Sequence, residues 1–235
     1  SNIFWVLFVI FLIAAVFVIK FIFGLLIWAI YTYYYNDRAN SDIFKYFDDA
    51  VSLHIMFKGE PLTYFKIIFG IHQKTPELVK QLDQLKFWNT PFYYNIVNDG
   101  RTMIRFNAIV YVFSLGYYHV HTLVMCFLSL TGLTALYKTF YPLLKDKSRE
   151  LFFIIFLIPS VLFWGSGVLK EGLLLFGLGL LVYQFSLFIN SEMKLSGLFV
   201  LLISVSVLLL TKVYVFLIII PGFIALFWSK VTGFK

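Results

Sequence analysis

Apolar residues divide this chain into long uninterrupted runs and one polar stretch. Residues 3–35 form an apolar run broken only by Lys20. A helix that crosses a bilayer needs about 20 mostly apolar residues. No Gly-Pro or Asn-Gly turn lies near Lys20, so the run predicts one long helix, tilted or partly interfacial, rather than a hairpin. Lys20 is expected to snorkel to a boundary or to mark the cytoplasmic start of the span. Residues 106–137 contain no Asp, Glu, Lys or Arg. Gly116 and the pair Tyr117–Tyr118 are expected to split this stretch into a short membrane-dipping piece and a span over 120–141. The run 151–169 is also uncharged, but Pro159 and Gly165-Ser166-Gly167 interrupt it, which predicts a span ending in a turn. Further apolar runs cover 172–190, 195–211 and 213–229. The pattern predicts an all-α, polytopic transmembrane helix bundle with about six spans. Its parts are an N-terminal transmembrane helix over 1–35, an outer segment over 36–101 and a helix bundle over 102–235.

The polar stretch has its own helical pattern. Asn40 or Ser41 can cap a helix running to about Leu53, in which Ile43, Phe47, Ala50 and His54 recur at helical spacing. A second amphipathic piece covers 61–71. A third begins at Thr75-Pro76, an N-cap residue followed by Pro at the first helical position, and aligns Leu78, Leu82 and Leu85. These helices are expected to lie along the membrane surface with their apolar faces down.

Composition agrees with the bilayer as solvent. The 235 residues are 61% hydrophobic and 13% charged, against about 25% charged in soluble domains. The net charge of +7 does not indicate nucleic acid, because residues 36–101 hold eight basic and eight acidic residues. The excess lies in short loops between apolar runs. Taking 138–150, 191–194 and 230–235 as one side gives seven basic residues there (Lys138, Lys145, Lys147, Arg149, Lys194, Lys230, Lys235) against two opposite (Lys170, Lys212). The positive-inside rule then places the first set in the cytoplasm and 36–101 outside. No cleavable leader is expected, since no basic stretch precedes Ile3 and no Ala-x-Ala site follows the run. The single Cys126 excludes an intramolecular disulfide and a thiolate zinc site, and its apolar neighbours predict core packing. His119 and His121 are too few for a metal site and are expected to pack among aromatics.

Three constellations could carry chemistry. On a helix, Asp42, Tyr46 and Asp49 fall at i, i+4 and i+7 and share one face. A carboxylate above the bilayer can act as general base on a hydroxyl; a solvated acidic face accounts for the same residues. Lys170 and Glu171 follow the interrupted run, at a membrane boundary where charge is expensive. Lys170 suits a phosphate, and a snorkelling Lys beside a helix-start Glu suits the pattern equally. Arg101 and Arg105, four apart, put two cations on one face, fit for a lipid phosphate or for interfacial anchoring.

Tyr33-Tyr34-Tyr35-Asn36 with Ser41-Asp42, Tyr46-Phe47 and Asp49, then Arg101-Thr102-Met103-Ile104-Arg105-Phe106-Asn107-Ala108, and Pro159-Ser160-Val161-Leu162-Phe163-Trp164-Gly165-Ser166-Gly167 with Lys170-Glu171 together resemble a family of poorly characterised bacterial inner-membrane proteins. That family is in turn similar to the GT-C superfamily of membrane glycosyltransferases. The superfamily's first outer loop commonly carries Asp-Glu-x-x-Tyr; here Asp42 and Tyr46 keep the spacing and Ile43 stands in place of the Glu. The resemblance implies a multi-pass protein of the bacterial inner membrane, a polyprenyl-phosphate-linked sugar as donor and an acceptor on the outer side. It implies Asp42, with Asp49 beside it, as the catalytic carboxylate. Tyr46, Arg101, Arg105, Lys170 and Glu171 would bind substrate. A divalent metal is compatible with the resemblance but not indicated by the residues, so the cofactor is left unknown. A polysaccharide repeat-unit polymerase would use the same groups on two lipid-linked glycans. A non-catalytic subunit of a larger membrane complex would use 36–101 to dock other membrane subunits. Beyond the lipid bilayer and the lipid-linked glycan donor, no nucleic-acid partner is expected.

Overall fold

A computed structural model of the chain describes residues 2–71, 73, 75–88 and 99–233. Residues 89–98 of the expected outer segment, and Lys235 of the charge set, lie outside the described residues. Among those described, the chain is all helical, without strands. Among the described residues four helices are long and apolar enough to cross a membrane: Val9–Tyr34, Tyr118–Phe140, Lys170–Ile189 and Val213–Thr232. The chain is therefore a membrane protein with the bilayer as its partner. Leu195–Thr211 is apolar but has 17 residues.

The first run is one helix, α1 (Asn2–Ala29), continued by a π-turn over Ile30–Tyr34. The exposed rings of Tyr33, Tyr34 and Tyr35 crowd this end, as interfacial aromatics do. Lys20 departs from expectation. Its side chain neither reaches a boundary nor starts the span; it is fully buried within α1, and Nζ has no hydrogen-bond partner. The cause is the bend at 165–167. A Cβ on Gly165 would lie 3.3 Å from Nζ, and one on Gly24 would lie 2.8 Å from the Ser166 carbonyl oxygen, so this bend covers the lysine.

The polar stretch folds into α2 (Asp42–Met56), α3 (Pro61–Phe69) and α4 (Pro76–Leu82). Thr75 caps α4 by accepting from the Leu78 N–H at 3.3 Å, with Pro76 at the first position. Ser41 occupies the N-cap position of α2 but does not cap it: its hydroxyl donates to the Asp37 carbonyl. Gly70, in the left-handed region at φ 74°, ends α3, a conformation that favours glycine. The apolar stripes of α2 and α4 are largely covered by the chain itself, while α3 leaves Leu62, Phe65 and Phe69 exposed. Ala50, Leu53, Tyr64, Ile67, Leu82, Leu85 and Trp88 converge on Met103, Ile104 and Ala108 of α5 (Asp99–Ser114) as one buried core. Tyr64 fastens it by donating to the Ala108 carbonyl at 2.8 Å.

Leu115 (φ 52°) and Gly116 (φ 85°) turn the chain from α5 into α6 (Tyr118–Phe140), the break expected at Gly116. After Lys145–Lys147, α7 (Ser148–Phe156) stops ahead of Pro159, and α8 (Pro159–Trp164) ends at the Gly165–Leu169 bend. The chain then runs through α9 (Lys170–Ile189), α10 (Leu195–Thr211) and α11 (Val213–Thr232). Between α6 and α9 the backbones touch at Gly132 and Gly179, with no room for a Cβ on either. Lipid tails compete with apolar side chains for such a surface, so helices in membranes associate through close packing of small residues.

Candidate functional site

The end of the bundle where α2 meets α5 and α9 collects the charges. Asp42 opens α2, where the helix dipole favours a carboxylate, and it pairs with Lys45 three residues on. Tyr46 follows, its side chain almost wholly buried. Lys45 Nζ lies 5.1 Å and Lys170 Nζ 5.2 Å from the centre of the Tyr46 ring, so two ammonium groups share one aromatic face system. Lys170, the first residue of α9, pairs with Asp99, the first of α5, at 2.6 Å. Burial pushes the Tyr46 hydroxyl up to about 12, with Lys45 opposing and Asp42 and Asp99 adding. Tyr46 is thus a neutral phenol, a donor of hydrogen bonds rather than a base.

Beside this cluster, Glu171 pairs with Lys212 at 3.5 Å. The Thr102 hydroxyl donates to the Leu210 carbonyl at 2.8 Å, which holds the α10–α11 corner against α5. Arg38 clamps Asp48 with two bonds of 3.0 and 2.6 Å and lies over the Phe44 ring. Every cation of these four pairs is met by a carboxylate.

The structure gathers part of the expected set and separates the rest. Asp42, Tyr46 and Lys170 belong to one cluster, with Glu171 next to it. Asp49 is employed elsewhere: it is buried, and its two oxygens accept from the Lys86 N–H at 3.2 Å and the Phe87 N–H at 2.7 Å. Burial pushes its carboxyl above the usual range, against the pull of those two bonds. Asp49 is thus enclosed, whereas Asp42 is exposed. Arg101 and Arg105 lie about 200° and 240° round α5 from Asp99, at 100° per residue. They stand instead with Trp88, their guanidinium carbons 5.5 and 5.4 Å from its ring centre, and Arg101 Nε donates to the Trp88 carbonyl at 2.6 Å. Arg105 Nε is buried without a hydrogen-bond partner. Lys170 and the two arginines therefore face different sides of α5.

Sequence reasoning missed Lys45, Asp99 and Lys212 as partners. Lys45 had a visible signal, an i, i+3 opposite charge to Asp42. Asp99 and Lys212 pair across 71 and 41 positions, and no local pattern announces that.

Behind the site, His121 is fully buried. Its Nδ1 lies 2.8 Å from Asn107 Oδ1, an acceptor, so Nδ1 carries the proton and Nε2 accepts from the Ser114 hydroxyl at 2.8 Å. Asn107 Nδ2 donates to the Met103 carbonyl at 2.8 Å. Both ring nitrogens are committed to packing the α5–α6 corner. Among the described residues no three of His, Cys, Asp and Glu come together as a metal site. Comparison of the chain with protein-family models, with curated proteins and with solved structures gave no match.

Proposed function

We propose that the chain is a multi-pass protein of the bacterial inner membrane that transfers a sugar from a polyprenyl-phosphate donor to an acceptor hydroxyl on the outer side. One observation carries this reading: a carboxylate and two ammonium groups meet round the Tyr46 ring at the end of apolar helices. In this reading residues 36–101 face outward, about six segments cross the bilayer, and the donor's lipid tail lies among the helices. Lys170 and Lys45 exchange Asp99 and Asp42 for the donor phosphate. Asp42, released from Lys45, accepts the proton of the acceptor hydroxyl. The acceptor oxygen forms its bond to the anomeric carbon as the bond from that carbon to the phosphate oxygen breaks, and polyprenyl phosphate leaves with the electron pair. Tyr46 positions the two lysines. Arg101 and Arg105, turned to the other side of α5, take no part in this step.

The test is turnover of a panel of radiolabelled glycosyl polyprenyl phosphates by purified protein in lipid vesicles. Asp42→Asn is expected to lose roughly 10²–10⁴-fold in rate, the usual worth of a general base. Asp49→Asn, measured per folded protein, is expected to stay within a few-fold of wild type. Equal turnover by wild type and the Asp42 variant would falsify the assignment.

A second reading, a non-catalytic subunit of a membrane complex, is favoured by α11, none of whose residues is buried within the chain. Co-purification of a stoichiometric partner whose crosslinks map to α11, with no donor of the panel consumed, would select it.

A further inference from the structure

At the opposite end of the bundle from Tyr46, a cavity of about 810 Å³ opens between α1, the end of α6 and the start of α7. Val9, Leu12, Phe152 and Phe153 form its apolar walls; Lys138, Arg149, Ser148 and the tyrosines 137 and 141 supply the polar groups. Arg149 sits in the first turn of α7 next to Glu150, no side chain caps that helix end, and both Arg149 and Lys138 are exposed. Among the described residues no carboxylate pairs with Arg149 or with Lys138. Two cations and an uncapped helix N-terminus thus border one cavity whose walls are greasy. An anion completes this arrangement, and an anion that brings its own hydrocarbon completes it best.

We propose that this cavity binds the phosphodiester headgroup of an anionic phospholipid. The phosphate lies between Lys138, Arg149 and the first N–H groups of α7, and the acyl chains run along Val9, Leu12 and Phe153. Basic pockets between membrane helices hold such headgroups through the same chemistry, and helix N-termini receive phosphate readily. The lipid would tie α1, α6 and α7 together at an end where the described residues make no ion pair.

Native mass spectrometry of the full-length protein, released from detergent with added dioleoylphosphatidylglycerol or dioleoylphosphatidylcholine, reads the bound lipid directly. Wild type is expected to retain phosphatidylglycerol in preference to phosphatidylcholine. Lys138→Gln with Arg149→Gln should weaken that binding by about tenfold or more for each cation withdrawn from the phosphate. Lys145→Gln with Lys147→Gln removes the same charge from the neighbouring turn and should change it little. Equal weakening by both pairs would mean diffuse attraction and overturn the proposal. So would equal retention of the two lipids, or displacement of phosphatidylglycerol by excess inorganic phosphate, which would mark a site for a small soluble anion. The charge-keeping exchange Lys138→Arg with Arg149→Lys guards against mere misfolding. It should keep most of the binding, and a loss as complete as in the Gln pair would put the effect in packing and sink the idea.

Discussion

Replacing Gly179 by alanine should unseat the pairing of α6 with α9. A Cβ on Gly179 would stand 2.7 Å from the Gly132 Cα, and closer still to that residue's carbonyl group. Ordinary van der Waals contact begins at 3.4 Å, so the Cα alone would require the backbones to part by about 0.7 Å and the carbonyl oxygen requires more. The obstacle is main chain on a rigid helix, not the movable tip of a side chain. A radial gap of 0.5–1 Å forfeits a quarter to a half of each dispersion well. Taking a seam with as many atom pairs as one buried leucine, about 50 at 0.1–0.2 kcal/mol, the loss is about 1–5 kcal/mol. A working figure of about 2 kcal/mol means a shift of roughly thirtyfold in the folding equilibrium. The assay is unfolding of the purified protein in mixed micelles by added dodecyl sulfate, followed by far-ultraviolet circular dichroism. Gly222→Ala in α11 is the matched control: nothing lies within 4 Å of a Cβ there, so the better helix propensity of alanine should leave stability unchanged or raise it by up to about 1 kcal/mol. If Gly179→Ala unfolds at the wild-type dodecyl sulfate fraction, α6 and α9 are not in backbone contact and the reasoning is refuted.

Three further outcomes follow from the site and from the charge pattern. Burial raises the Asp49 carboxyl above its ordinary value, so the folded state holds that proton more tightly than the unfolded one. Its stabilising share is then full below the unfolded value of about 3.9 and is lost as pH rises through the raised folded value; Asp49→Asn should lack that loss, and parallel wild-type and variant stability curves across the window just above the usual carboxylate range would count against it. Asp49→Ala should cost more, about 1–3 kcal/mol for each of the two backbone N–H groups it leaves without an acceptor, seen in the same unfolding assay. In a Cys126→Ser background, cysteine at Lys58 should react with an impermeant thiol reagent on intact cells and cysteine at Lys145 should not; the reverse pattern would overturn the proposed orientation.

Much of the fold can be read from the residues because it is written locally. Pro76 behind Thr75, Gly116 after an uncharged run, Pro159 and the Gly165–Gly167 triplet each fix a boundary by backbone chemistry, and the structure places breaks at all four. Other features depend on what arrives from far along the chain. The apolar stripe of α2 is legible, but whether it meets lipid or protein is not, since α5 closes over it from 50 residues away. Asp42, Asp48 and Asp49 look alike in sequence. Only the position of the 86–87 turn distinguishes the buried structural Asp49 from the exposed Asp42, and only Asp99 reveals that Lys170 is already matched. Lys20 departs from its expected place for the same reason, its cover being supplied by Gly165 and Ser166.

That late cover imposes an order on biogenesis. When α1 enters the bilayer, the bend that will enclose the Lys20 amine has not been made: Ser166 lies 146 positions beyond Lys20. At about 5–20 residues per second, the amine waits roughly 7–30 seconds in the membrane without its final surroundings. A lysine at the centre of a nascent span costs roughly 2.5–3.5 kcal/mol on insertion scales, while each Leu, Ile, Phe or Val returns about 0.3–0.6. The 20 such residues of α1 offset that penalty about two- to fivefold. The exceptional greasiness of the first helix is thus a condition for carrying one polar passenger to the place where the rest of the chain can enclose it.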